Sequence, residues 1–283
     1  MNYEAGPLLL EVIQSLLADT SSGSAPALVV VDNASTDGSL TPLRATWPDV
    51  TVIEAGANLG YAGAANLGIA ATDTPIVAVC NPDIRVEGGT GAALIGRFER
   101  ETDLGAVGPT VLEPDGTRYP SARRNPSALV AAGHGALGRV WPTNPFTRRY
   151  RELDADPRTA RDVDWVSGAA IWLRRDALEA VGGWDPRYFM YVEDVDLCWR
   201  LRSSGWRVAY EPAGTVVHVH GVSTARHPYR MIVAHHRSLL RFAARRWQGW
   251  RRVFLAPAAV FLGLRAVANI VGQALHSRGG RGG

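Results

Sequence analysis

Three short apolar runs, each closed by an acidic or amide residue and then by turn chemistry, constrain this chain more than any other feature. Ala27–Val31 runs into Asp32 and the turn-rich DNASTDGS, Thr51–Glu54 is a second run, and Ile76–Cys80 ends at Asn81-Pro82-Asp83. Continuous apolar runs bounded by such turns read as strands buried on both faces. Between them lie helical patterns at residues 7–18, with Pro7 at a first-turn position, up to about Thr46, at Gly60–Ala71 and near residues 91–101. A further strand is expected around Ala106–Leu112. This alternation predicts an α/β fold with a Rossmann-like sheet flanked by helices. Ligands of such sheets collect at the carboxyl ends of the strands, where Asp32 and Asp83 both fall.

The rest of the chain is read the same way. Residues 114–164 are rich in Pro, Arg and Asn and suggest long loops around a short helix. Trp165–Arg174 predicts a strand and Asp176–Val181 a helix. Another helix follows YFMYVEDVDL and stops near Gly205. Arg207–Tyr210 and Thr215–His220 predict two short strands, and from His227 the pattern is helical and basic. The expected organisation is one domain over residues 1–225 and a basic helical tail over 226–283.

Charge and composition narrow the function. The chain has 283 residues, 46% of them apolar, enough for one sizeable core. Its two cysteines, Cys80 and Cys198, exclude a disulfide framework and fit a reducing cytoplasm. The first residues lack the basic region and apolar run of a secretory signal. A net charge of +3 conceals an asymmetry: residues 212–283 carry 11 arginines and no acid. A basic tail on an acidic domain fits an anionic partner, phosphate or anionic lipid. Nucleic acid ranks last, because no recognition motif accompanies the charge. Residues 253–272 are apolar over nearly a spanning length, but Pro257 and Arg265 interrupt them. Trp247, Trp250, Arg251 and Arg252 come just before, so a helix lying in the lipid interface is expected rather than a span.

The candidate chemistry lies in three acidic clusters. Asp32, at a strand end, can accept hydrogen bonds from a base or ribose, although DNASTDG is equally good turn chemistry. Asn81-Pro82-Asp83 offers oxygen ligands to Mg²⁺ or Mn²⁺, with phosphate oxygens and water completing the shell. Glu193-Asp194-Val195-Asp196 opens a helix, where acids suit the macrodipole, and one carboxylate there could serve as a general base. His218 and His220 alternate on one strand, and either could complete a metal shell. His235, His236 and Arg237 form a cluster suited to a lipid diphosphate.

No cluster decides alone, but their order does. Strand-Asp, NLGYAGAAN, NPD, WVSGAAIWLRR, GGWDPRYFMYVEDVDL and VVHVHG follow one another over residues 2–225. In this the chain resembles the family 2 glycosyltransferases of GT-A fold. YPSAR with its following Pro-Ser, WPTNPFTRRYR and AHHRS make it most similar to the rhamnosyltransferases of that family.

The resemblance implies an inverting, metal-dependent enzyme peripheral on the cytoplasmic face of the membrane. Its donor would be dTDP-L-rhamnose and its acceptor a polyprenyl-diphospho-N-acetylglucosamine of cell-wall linker synthesis. Another donor sugar, a polysaccharide acceptor, or a silent sugar-nucleotide-binding protein are the alternatives. By position, the resemblance implies nucleotide contacts at Tyr3, Asp32, Asn58, Gly60, Asn66 and Asn81. It implies metal binding by Asp83 and His218 and catalysis by Asp194. The acceptor and sugar walls would come from Trp165, Gly168, Trp184, Asp185, Tyr188 and Glu193. One departure stands out: the family opens with an apolar strand ending in Thr-Tyr, and here only Met1-Asn2-Tyr3 occupies that place. Neighbouring backbone groups would then lack partners, and an upstream start is the expected cause.

Overall fold

The computed structural model of the protein describes residues 1–20, 23, 26–219 and 227–279. The first half follows the sequence pattern closely. Helix α1 (Leu8–Ala18), strand β1 (Val29–Asp32), helix α2 (Leu40–Thr46) and strand β2 (Thr51–Glu54) lead into helix α3 (Gly60–Ala70) and strand β3 (Ile76–Cys80). Strand β4 (Ile84–Val86), helix α4 (Thr90–Arg100) and the long strand β5 (Leu104–Leu112) follow.

Residues 114–164 hold more structure than their composition suggests. Strands β6 (Arg118–Tyr119) and β7 (Ala122–Arg123), helices α5 (Ala128–Leu137) and α6 (Pro145–Arg151) and strand β8 (Arg161–Asp162) all form there. Both helices are short but well capped. The Ser127 side chain accepts from Val130 N–H, and Asn144 accepts from Thr147 N–H with Pro145 in the first turn. The expected strand over 165–174 is broken into β9 (Trp165–Val166) and β10 (Ala170–Arg174), because β9 pairs with β7 while β10 joins the main sheet. After helices α7 (Arg175–Ala180) and α8 (Glu193–Ser203), the two strands expected at 207–220 are one, β11 (Arg207–His218). A register shift between Glu211 and Thr215 lets β11 run the length of β5. His220 and the domain boundary expected at 225 lie outside the described residues. Helix α9 (Pro228–Arg246), a 3₁₀ turn (Gly249–Phe254) and helix α10 (Leu255–Gly279) complete the chain.

The main sheet has the order β3-β10-β5-β11-β4, with β6 and β8 added at its margins. Side-chain alternation sends each central strand to both faces. Ile171 and Leu173 of β10 pack with Tyr61, Ala65, Trp184, Leu197 and Leu201 beneath α3 and α8. Ala170 and Trp172 face the other way, onto Leu9, Val12, Leu94 and Phe98 of α1 and α4. Each fully buried leucine contributes roughly 1.5–3 kcal/mol relative to exposure. Cys80 and Cys198 are both free thiols.

Between β1 and β3 lies the place of the expected first strand. Asn2 makes a single parallel bridge to Asp32: its N–H donates to Val31 O at 2.7 Å, and its carbonyl accepts from Asn33 N–H at 2.8 Å. On the other side the Met1 ammonium donates to Cys80 O at 3.0 Å. Below this stub, Leu9, Val12, Val30, Ala65, Val77 and Val79 border an apolar cavity of about 440 Å³. The sheet is open here, with one bridge in place of a full strand.

Gly60 ties the two halves of the molecule at the sheet's carboxyl edge. It has φ +73°, and an added Cβ would lie 2.2 Å from Phe189 O. That closeness lets Tyr61 N–H donate to Phe189 O at 2.9 Å. Gly60→Ala combines a left-handed alanine with a clash against backbone. It should lower stability by about 2 kcal/mol or more, read as a shifted urea midpoint.

Candidate active site

The carboxyl ends of β3 and β11, the break after β9 and the start of α8 enclose a cleft of about 600 Å³. Asn81 and Asp83 reach it from the end of β3, where Asn81 N–H donates to Ala169 O at 2.8 Å. His218 arrives from β11, opposite Ile84 of β4, and Val219 N–H donates to Asp83 O at 2.9 Å. The two side chains are buried, and His218 Nε2 lies 3.1 Å from Asp83 Oδ1. Asn81 Nδ2 lies 3.3 Å from the same Nε2. These contacts ask opposite roles of one nitrogen: a proton toward the carboxylate, a lone pair toward the amide. Two lone-pair donors turned toward one another suit a shared cation. Among the described residues no group of three His, Cys, Asp or Glu side chains gathers around a metal position. A cation here would need oxygens from its substrate, as hard divalent ions at phosphate sites do.

The acid pair enters from the opposite wall. Tyr191 and Val192 both adopt left-handed backbone, at φ +67° and +70°. That conformation is costly for a bulky and a β-branched residue. The turn it makes directs Glu193 and Asp194 into the cleft at the first turn of α8. Asp194 Oδ2 accepts from Gly168 N–H at 2.9 Å, and Oδ1 from Val195 N–H at 2.8 Å. Burial pushes the Glu193 carboxyl up to about 8, and the neighbouring Asp194 adds to the rise. Burial also raises Asp194, but the backbone donors of Gly168 and Val195, with the Arg123 charge, pull against it. Glu193 Oε2 is buried with no hydrogen-bond partner. Both carboxyls are therefore held above the ordinary carboxylate range, and they titrate as a pair.

Not every residue expected at the site faces it. Tyr3, Asn58 and Gly60 line the cleft, as do Trp165, Gly168 and Glu193. Asp32 does not. Its carboxylate is 2% exposed and accepts from Asn2 Nδ2 at 2.7 Å and from Ser35 N–H at 2.9 Å, so it organises the turn after β1. Its neighbour Asn33 takes the cleft position. Asn66 clamps Trp184 through both backbone groups, at 2.8 and 3.0 Å. Trp184 is fully buried against Tyr61, with ring centroids 5.0 Å apart. Tyr188 gives its hydroxyl to Asp196 at 3.1 Å, and Asp185 pairs with Arg187 and Arg245. These five hold the walls from behind.

His235 reaches the cleft, but burial lowers it to about 4, with His236 and Arg265 adding to the fall. Of the His235-His236-Arg237 cluster, both imidazoles are thus held below their ordinary value. Sequence reasoning missed Tyr119, Arg123 and Tyr150, which form the far wall. They fall in the YPSAR and TRRYR segments already marked as distinctive, yet no rule of spacing joins them.

With this geometry in view, the comparisons are consistent. The model of the family described as Glycosyl transferase family 2 matches residues 1–182, and the chain belongs to that family. It is 40% identical over 263 residues to the N-acetylglucosaminyl-diphospho-decaprenol L-rhamnosyltransferase of Mycobacterium tuberculosis, covering 89% of this chain and 85% of the relative. A mannosyltransferase of Pyrobaculum calidifontis, solved with GDP-Man and Mn²⁺, superposes with a TM-score of 0.54 at 19% identity, covering 97% of this chain and 73% of that one. GalNAc-T7, solved with UDP, GalNAc and Mn²⁺, superposes with a TM-score of 0.55 at 13% identity, covering 75% and 41%. The fold is GT-A, and the chain is a family 2 glycosyltransferase.

The buried Glu193 has a measurable consequence. Its folded-state carboxyl holds a proton up to about pH 8, whereas the unfolded chain releases it near the ordinary value of about 4.3. Between those values the folded state binds the extra proton, so stability falls as pH rises. Glu193→Gln should therefore raise the melting temperature at pH 8.5, by on the order of 2 kcal/mol in stability, with the advantage shrinking toward pH 5. Thermal melts of both proteins across that range check it.

Proposed function

We propose that this chain transfers L-rhamnose, with inversion, from dTDP-L-rhamnose to N-acetylglucosamine carried on a polyprenyl diphosphate. The observation that carries the reading is the placement of Asp194. It is a carboxyl locked by two backbone donors, facing the same cleft as Asp83 and His218. The likeness to the mycobacterial rhamnosyltransferase over 89% of the chain supports the donor and acceptor classes.

In this reading Tyr3, Asn33, Asn58 and Asn81 hold the nucleotide end of the donor. Asp83 and His218 would hold Mg²⁺ or Mn²⁺, whose charge offsets that of the departing nucleoside diphosphate when bound. Asp194 accepts the proton of the acceptor hydroxyl as that oxygen attacks the anomeric carbon from the face opposite the leaving group. A single displacement of this kind inverts the centre. Glu193, whose carboxyl burial pushes up to about 8, does not compete for the acceptor's proton. Gly168 and Trp165 close the acceptor side and exclude water. Asp194→Asn should lower kcat by about 10²–10⁴-fold while donor binding, followed by titration calorimetry, changes little. A near-normal rate would overturn the assignment.

The carboxyl-terminal region supports work at a membrane surface on the cytoplasmic side. Residues 249–275 form one helical stretch long and apolar enough to cross a membrane, with none of its apolar window buried. Trp250, Val253, Phe254, Leu264, Val267 and Val271 are exposed on it, and Arg251 and Arg252 flank the start. Phe261 meets α5 at Gly135, and α10 packs along α9, so the helix lies against the body of the protein. An interfacial helix with cationic and aromatic flanks fits that arrangement. In a flotation assay, vesicles containing anionic lipid should carry the full chain upward. Trp250→Ser with Phe254→Ser should weaken the partition by on the order of 100-fold, since each large side chain contributes roughly 1.5–3 kcal/mol when fully buried.

A further inference from the structure

Arg123 lines the cleft, yet no carboxylate pairs with it directly. It sits on β7, 8% exposed, with its guanidinium 5.2 Å from the Tyr119 ring, 5.5 Å from Tyr150 and 4.9 Å from Trp165. Its Nε donates to Pro120 O at 2.6 Å and its Nη2 to Tyr119 OH at 2.7 Å. Among the described residues no carboxylate oxygen comes within 4.0 Å of it. Arg97 and Arg200 by contrast are paired: Arg97 with Glu101 at 2.5 Å and Glu211 at 3.1 Å, Arg200 with Asp196 at 2.8 Å. A buried guanidinium without a counter-charge is expensive, and aromatic faces recover only part of that cost.

The surroundings deepen the imbalance. His134 is held at about 4 by burial and then by the charges of Arg151, Arg123 and Arg265. Arg151 has its Nε buried with no hydrogen-bond partner. Tyr150 stands at the centre of this group, 4.7 Å from the His134 ring and 6.2 Å from Trp165. Asp83 closes one end of the cleft, Asp194 stands between, and the end at Arg123 is cationic. A planar guanidinium held by rings and a carbonyl, with a face toward a cavity, is suited to phosphate oxygens. The exposed apolar surface of α5 and α10 begins on the outer side of the same cluster, where Gly135 meets Phe261 and Arg265.

We propose that Arg123 binds the phosphate through which the acceptor sugar is joined to its lipid. The proposal rests on the reading of the cleft as a glycosyl-transfer site. The acceptor sugar then points inward to Asp194, and the prenyl chain leaves along the apolar face of α5 and α10. The donor's diphosphate is accommodated at the opposite end, by Asp83 and His218.

The test compares two acceptors with one donor: N-acetylglucosamine on a short prenyl diphosphate, and the same sugar on an uncharged alkyl chain. Wild-type protein should prefer the diphosphate by at least about 30-fold in kcat/KM. Arg123→Gln should remove most of that preference through the acceptor KM, and Arg123→Lys, which keeps the charge without the fork, should retain an intermediate preference. Equal losses on both acceptors would mean a structural role, and a rise confined to the donor KM would move Arg123 to the donor's phosphates. Either outcome overturns the proposal. A wild-type preference below about threefold overturns it without recourse to a variant. Transfer by the wild type to neither acceptor would instead sink the glycosyl-transfer reading, and the Arg123 assignment with it.

Discussion

Asp196 is fully buried, and the geometry of the cleft hangs on its two oxygens. They accept from Tyr188 OH at 3.1 Å, Arg200 Nε at 2.8 Å and Arg245 Nη1 at 2.8 and 2.9 Å. Arg200 in turn donates to Val181 O and Gly183 O, and Arg245 reaches Asp185. One carboxylate therefore fixes the start of α8, the loop before it and helix α9 in a single arrangement. Removing one partner of such a buried pair costs about 3–5 kcal/mol, because the other charge is stranded. The strained turn at Tyr191 and Val192 is sustained by this clamp, and it aims Asp194. Arg245, in the last turn of α9, ties that helix to α8 and to the loop before it.

The cleft separates charge along its length. Asp83 and His218 close one end at the sheet's carboxyl edge, Asp194 and Glu193 stand in the middle, and Arg123 lies at the other end. Glu193 and Asp194 are consecutive, but helical geometry turns them to different surroundings, and burial raises both. Asp194 has two backbone N–H groups, while Glu193 Oε2 has none. Two such carboxyls side by side can share one proton between them. The same low-dielectric surroundings that raise Glu193 make an unpaired Arg123 a strong site for an incoming anion.

The sequence was informative where local chemistry and position coincide. Ile76–Cys80 ending in NPD placed Asp83 at a strand's carboxyl end, and the fold delivers it to the cleft. It was less informative where a polar residue could serve either a turn or a ligand. Asp32 has the same pattern as Asp83, but the Asn2 amide and the Ser35 N–H occupy its carboxylate. Trp184, Asp185 and Tyr188 sit in a segment as distinctive as the acid pair's, yet they brace the wall from behind. The helices α5 and α6 were hidden in a Pro- and Arg-rich stretch, although Ser127 and Asn144-Pro145 carried their start signals.

What the sequence determined by itself was the order of strands and helices, the carboxylates at strand and helix ends, and the family those motifs define. Each depends on interactions among residues close along the chain, so pattern and spacing suffice. What only the tertiary structure decided was which of those polar groups share a space. Arg123 meets Tyr150 and Trp165 across 27 and 42 positions of chain, a contact made by the pairing of β7 with β9. Whether a buried charge has a partner is a property of the assembled interior, where water no longer answers for it.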